Sequence, residues 1–145
     1  MREQEYNEII LIEDNPTDME LTIDSLLEIN KVQGPIHVLE DGQQALDYFF
    51  NQPENNRPNP KFIVLDLKLP KVNGLEVLRE LKKSEKYKDV PVIILTSSNE
   101  NSDIVDAYRF GANSYVVKPV NFMQFTETIS KMALYWLLLN KPVKN

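Results

Sequence analysis

The 145-residue chain has no cysteine and a single histidine, His37. Without thiols there is no disulfide framework, no zinc-thiolate or iron–sulfur centre and no thiol nucleophile, and one imidazole cannot build a histidine metal cage. Basic residues are outnumbered. Sixteen Lys plus Arg stand against 22 Asp plus Glu, a net charge of −6 with no basic stripe, which argues against a nucleic-acid footprint. Long apolar runs are missing too. Ile9 to Ile12 is shorter than the roughly 7–15 residues of a signal-peptide core, and the longest run, Met132 to Leu139 (MALYWLLL), falls far below the roughly 18–20 that span a bilayer. The chain therefore reads as cytosolic, with no membrane insertion and no DNA contact. Four glycines and nine prolines give no sign of a mobile lid.

What is present is an alternation of short apolar runs with helical patterns, five of each. Glu8 to Ile12 (EIILI) predicts a strand. Asn15 then caps a helix with Pro16 at its first position and Met19, Ile23, Leu26 and Leu27 at helical spacing, broken at Gly34-Pro35. Ile36 to Leu39 predicts a second strand, and Ala45, Leu46, Phe49 and Phe50 one face of a second helix; the polar segment 51–60 (NQPENNRPNP) reads as a loop. Phe62 to Leu65 (FIVL) is continuously apolar, as suits a strand buried on both faces, and stops at Asp66. Leu75, Leu78 and Leu81 mark a third helix, and Val90 to Leu95 (VPVIIL) a strand stopping at Thr96. Ile104, Ala107 and Tyr108 mark a short fourth helix ended by Gly111. Ser114 to Val117 runs into Lys118-Pro119. Asn121 then caps a last helix carrying Phe125, Ile129, Met132, Ala133, Trp136 and Leu137 over about four turns.

This alternation implies right-handed crossovers and one domain over residues 1–145, a three-layer doubly wound (βα)5 α/β fold with a five-stranded parallel sheet. Ligands of such sheets sit at the carboxyl ends of the strands. The residues found there are Glu13 and Asp14 after the first strand, Asp66 after the third, Thr96 after the fourth and Lys118 after the fifth. Crowded carboxylates repel, so without a cation at least one pKa should rise, and a hard divalent ion removes that penalty. Magnesium suits such a set, because it takes oxygen ligands and is typically held by one or two carboxylates plus a phosphate. Lys118 and Thr96 add a positive point charge and a hydroxyl donor for phosphoryl oxygens. With no Cys or His at a strand end, an aspartate carboxylate attacking phosphorus is the economical choice of nucleophile, and Asp66 is the central candidate.

The stretches IEDNP, FIVLDLKLPKVNG, VIILTSS and GANSYVVKP, in that order, resemble the receiver domain of two-component response regulators over essentially the whole chain. The resemblance implies sheet order 2-1-3-4-5 and a regulator that takes a phosphoryl group from a histidine kinase onto Asp66, catalysing only its own phosphorylation and dephosphorylation. It implies that Glu13 and Asp14 bind magnesium, with the backbone carbonyl of Lys68. It further implies that Thr96 and Lys118 contact the phosphoryl group, that Tyr115 acts as an aromatic switch beside Thr96, and that Pro70 and Gly74 shape the loop after Asp66. A cis Lys118-Pro119 bond is also implied, against the trans form that X-Pro amides generally favour. The first acid is Glu where Asp is commoner, a longer arm that reaches a metal directly or through water. No output domain follows the last helix, which fits a stand-alone regulator similar to the small regulators paired with bacterial phytochrome kinases.

Blander readings exist for each residue: the acids as helix-terminal charges, Thr96 as a turn residue, Lys118 as a solvated lysine, Tyr115 as a strand aromatic, His37 as a satisfied strand residue. The joint placement of four of them favours the phosphoryl site. In the last helix, Leu134, Tyr135, Leu138 and Leu139 fall off the inward stripe, and exposed contiguous apolar surface marks a partner surface. Homodimerisation through this helix, with the fourth helix and fifth strand, is the expectation. The alternatives are a phosphatase of the haloacid dehalogenase type, which needs a second Asp where Lys68 stands, and a receiver-like module that is never phosphorylated. Flavodoxin-like cofactor binding would need a hydroxyl- and glycine-rich loop where Asn15-Pro16 stands.

Overall fold

The computed structural model describes residues 8–28 and 35–141. Its elements run β1 (Glu8–Ile12), α1 (Pro16–Leu27), β2 (Ile36–Leu39), α2 (Gly42–Phe50), β3 (Pro60–Leu65), α3 (Gly74–Lys83), β4 (Val92–Thr96), α4 (Asn101–Arg109), β5 (Ser114–Val117) and α5 (Phe122–Leu134). All strand pairs are parallel, in the order β2-β1-β3-β4-β5. The expected break at Gly34-Pro35 begins outside the described residues.

The period-two geometry of a strand sorts the apolar runs onto two faces. Ile10, Ile12, Ile63, Leu65, Val92 and Ile94 pack beneath α2, α3 and α4 with Phe49, Leu78 and Tyr87. Ile9, Leu11, Phe62, Val64, Ile93 and Leu95 face α1 and α5, against Leu26, Phe125, Ile129 and Met132. Central strands covered on both sides are therefore apolar throughout, whereas the edge strands β2 and β5 are only partly buried. On the β2 edge, exposed His37 stacks at 4.2 Å on Tyr48, whose hydroxyl donates to Glu8 (2.6 Å).

Four helices begin with an Asx cap, the side chains of Asn15, Asp41, Asn73 and Asn121 accepting from the main-chain N–H three residues on. Gly111, at φ +104°, ends the α4 segment as expected. Three expectations are adjusted. Tyr108 is half exposed, because only Ala107 of its proposed stripe reaches the core. Segment 51–60 holds a 3₁₀ turn (Glu54–Asn56) closed by Arg57, whose guanidinium donates to the carbonyls of Phe50 and Gln52, and Pro60 already belongs to β3. The last helix does not run on as an α-helix: from Tyr135 to Leu139 it widens into one π turn, closed by Asn140 N–H donating to Tyr135 O (2.8 Å).

Candidate functional site

Strand register builds the site. Ile12 pairs with Leu65, so Glu13 and Asp66 leave the sheet side by side, with Asp66 N–H donating to Ile12 O (3.0 Å) and Glu13 N–H to Leu39 O (3.0 Å). On the other flank Thr96 pairs with Val117, and Lys118 N–H donates to Thr96 O (2.7 Å). All four residues thus emerge at one edge, next to β1, where the chain crosses first to β2 on one side and then to β3 on the other.

The Lys118 ammonium lies nearly buried at the centre and meets three carboxylates: Glu13 Oε1 at 2.8 Å, Asp66 Oδ2 at 2.9 Å and Asp18 Oδ2 at 2.9 Å. Burial by itself would lower its pKa, but the three hydrogen bonds overcome this and hold the ammonium charged beyond its ordinary range. Glu13 is the carboxyl that rises, chiefly by burial and only secondarily by the crowding of carboxylates. Burial pushes it from 4.5 to about 7; the Lys118 bond works against that shift and the charge of Asp66 adds to it. Glu13 Oε2 also accepts from Asn15 N–H (3.1 Å). Carboxylate oxygens of Glu13, Asp14 and Asp66 lie within 4.8 Å of one another, close enough to share one small cation. Asp14, unlike the other two, is exposed. This donor set, all hard oxygens, fits magnesium and its preference for keeping several waters.

Asp18 is the residue that the sequence did not single out. It sits in the first turn of α1, where an acid is ordinarily read as complementing the helix dipole. Its only signal was its place four residues after Asp14.

On the opposite side Thr96 is fully buried, and its hydroxyl lies 3.5 Å from Ser98 N–H. Tyr115 is half buried and its hydroxyl donates to Ser98 O (2.9 Å), tying β5 to the β4–α4 connection. Ser98 Oγ donates to Asp103 on α4, which also faces Lys68 Nζ at 3.7 Å. Lys68 N–H turns back onto Asp66 Oδ1 (3.2 Å). An open cleft of about 440 Å³ is lined by Asp14 of the carboxylate cluster together with Lys68, Pro70, Asn73 and Asp103. Away from it, Leu134, Tyr135, Leu138 and Leu139 are 41 to 69% exposed, while Trp136 and Leu137 pack against the core.

Residues 9–130 match the family model described as the response regulator receiver domain. The chain belongs to that family. Among curated receiver relatives it is 38% identical to the probable methanogenesis regulatory protein FilR2 of Methanothrix harundinacea, over 92% of this chain and 85% of that one. It is 33% identical to response regulator Rcp1 of Synechocystis, over 89% and 88%. The solved Mn²⁺-bound form of Rcp1 superposes with TM-score 0.87 at 31% identity, covering 95% of this chain and 99% of that one. The phosphorylated cyanobacterial phytochrome response regulator RcpA superposes with TM-score 0.89 at 31% identity, covering 97% and 100%. This receiver is thus a signalling protein of the two-component type. In one respect it departs from the resemblance: the described residues contain no cis peptide, so Lys118-Pro119 is trans. None of its described helices is long and apolar enough to cross a membrane.

Proposed function

We propose that Asp66 is the phosphoacceptor of a magnesium-dependent phosphoryl transfer from the phosphohistidine of a sensor histidine kinase. The observation that carries the reading is the contact of Lys118 Nζ with Asp66 and Glu13, inside the carboxylate cluster at the strand ends. An Asp66 carboxylate oxygen attacks phosphorus in line, the P–N bond to the imidazole breaks, and the imidazole leaves with the electron pair. Magnesium, when bound by Glu13, Asp14, Asp66 and the Lys68 carbonyl, supplies charge neutralisation for the phosphoryl oxygens. Lys118 contributes a fixed positive charge on the other side. Thr96 turns its hydroxyl inward to the phosphoryl group, and Tyr115, whose hydroxyl now donates to Ser98 O, fills the space that this movement vacates. The same machinery run with water limits the lifetime of the acyl phosphate, so the receiver catalyses its own phosphorylation and dephosphorylation.

The kinase partner is taken to be of the phytochrome type, since RcpA is a phytochrome response regulator and this chain covers its length. Leu134, Tyr135 and Leu138 supply an apolar surface for a homodimer. A cytoplasmic site of action follows from that partnership. Intact-protein mass after incubation with acetyl phosphate, with and without magnesium, tests the core of this reading. One acid-stable, base-labile phosphoryl adduct is expected, absent without magnesium and absent in Asp66→Asn. An adduct that persists in Asp66→Asn overturns the assignment.

A further inference from the structure

Lys118 has three ammonium protons and three carboxylate partners, so its donor capacity is filled before any phosphoryl group arrives. Two of these partners have other tasks. Glu13 and Asp66 belong to the carboxylate cluster that fits a cation, and Asp66 is also the proposed nucleophile. Asp18 belongs to neither set. It is delivered by α1, and its place there is held by the helix cap: Asn15 Oδ1 accepts Asp18 N–H (2.9 Å), while Pro16 fixes the backbone at the first helical position. Asn15 in turn donates its own N–H to Glu13 Oε2 (3.1 Å), so one residue orients both outer partners of the ammonium.

A lysine side chain loses much rotamer freedom when it is held in one place, and an ammonium, unlike a guanidinium, has no planar fork to preorganise it. When the bond from phosphorus to the donor breaks and the bond to an Asp66 oxygen forms, the Asp66 carboxylate loses its charge and Lys118 must pass a hydrogen bond to a phosphoryl oxygen. At that moment its bond to Asp66 weakens, and Glu13 is shared with any bound cation. The Asp18 bond is the one that the reaction leaves untouched.

We propose that Asp18 is a positioning residue, anchoring the Lys118 ammonium from α1 so that it meets the developing phosphoryl charge in a fixed place. This rests on Asp66 being the phosphoacceptor. The anchor acts on the transition state, where the equatorial oxygens gather charge, and contributes little to donor binding. The role needs a hydrogen-bond acceptor at position 18 more than it needs a negative charge.

The test compares initial phosphorylation rates, at saturating magnesium and varied acetyl phosphate, in the wild-type chain, Asp18→Ala and Asp18→Asn. Asp18→Ala is expected to lower the maximal rate about tenfold, the size of one lost charge-assisted hydrogen bond, with the half-saturating donor concentration unchanged. Asp18→Asn, whose amide oxygen still accepts from Lys118, is expected to recover most of that loss. Magnesium affinity, read by calorimetry without phosphodonor, should be the same in all three. A wild-type rate in Asp18→Ala, no recovery in Asp18→Asn, or a loss matched by weaker magnesium binding each overturns the anchor while leaving Asp66 as phosphoacceptor. A wild-type chain that takes up no phosphoryl group overturns both.

Discussion

The buried Glu13 carboxyl is where the electrostatics of this receiver are most exposed to experiment. Its pKa is raised by burial to about 7 against 4.5 for an ordinary glutamate, so between those values the folded chain keeps a proton that the unfolded chain has released. The group therefore favours the folded state at the low end of that window, and its contribution falls as pH climbs through it. The metal-free protein is expected to lose denaturation midpoint between about pH 4.5 and 7 from this group, a slope that Glu13→Gln flattens. In the proposed metal site magnesium would compete with the same proton. Binding at pH 6 should release a proton to the buffer, and binding at pH 8.5 should not; calorimetry in buffers of different ionisation enthalpy reads both. The same residue shows what a glutamate does in place of the shorter aspartate. Its arm divides its two oxygens between Lys118 and the N–H of Asn15, keeping the carboxylate at the cluster.

Among the elements, the connections after β3 and β4 matter more than the helices they lead into. Gly74 opens α3 with its N–H bonded to Leu67 O (2.9 Å), and a Cβ there would stand 2.2 Å from Asp66 O and 2.6 Å from Leu67 Cα. Neither atom is the end of a flexible side chain, so Gly74→Ala must push the Asp66 backbone aside. We expect a loss of about 2–3 kcal/mol in urea unfolding, with slower phosphorylation of what remains folded. After β4, Tyr115 OH holds the Ser98 carbonyl, while Ser98 holds Asp103 of α4. Tyr115→Ala is expected to take up phosphoryl at close to the wild-type rate, because the ring touches neither Asp66 nor Lys118 by hydrogen bond, yet to uncouple phosphorylation from partner binding or self-association. Unchanged phospho-dependent association in that variant would remove Tyr115 from the switch.

For the molecule as a whole, the apolar end of α5 and its π turn form the surface assigned to the proposed homodimer. Leu134, Tyr135, Leu138 and Leu139 are exposed together, where an amphipathic surface helix would be polar. Sedimentation at tens of micromolar is expected to show a dimer in the phosphorylated protein, and Leu138→Glu to return it to monomer by placing an unpaired charge in the interface. A monomer both with and without phosphorylation would send the search for the partner surface elsewhere.

The strands, their burial and the residues ending them were legible in sequence because the central strands are covered on both sides, which leaves no polar position to blur where FIVL stops and Asp66 begins. Helix caps were legible for a similar reason, since Asn15 and Asn121 act on main-chain groups only three residues away. Periodicity failed where backbone geometry changed: the widened turn at Tyr135–Leu139 follows from local hydrogen bonding that a 3.6-residue count cannot register. It also failed at Tyr108, whose helix touches the core through Ala107 alone. What only the tertiary structure decided is partnership. Lys118 and Asp18 lie 100 residues apart, and nothing in either segment says that an ammonium from β5 will meet an acid of α1. That contact depends on the strand order that sets β1 beside β3 and on α1 packing against α5, a long-range arrangement with no local signature. Composition and strand ends determined which functional groups this chain offers; the register of its sheet decided which of them meet.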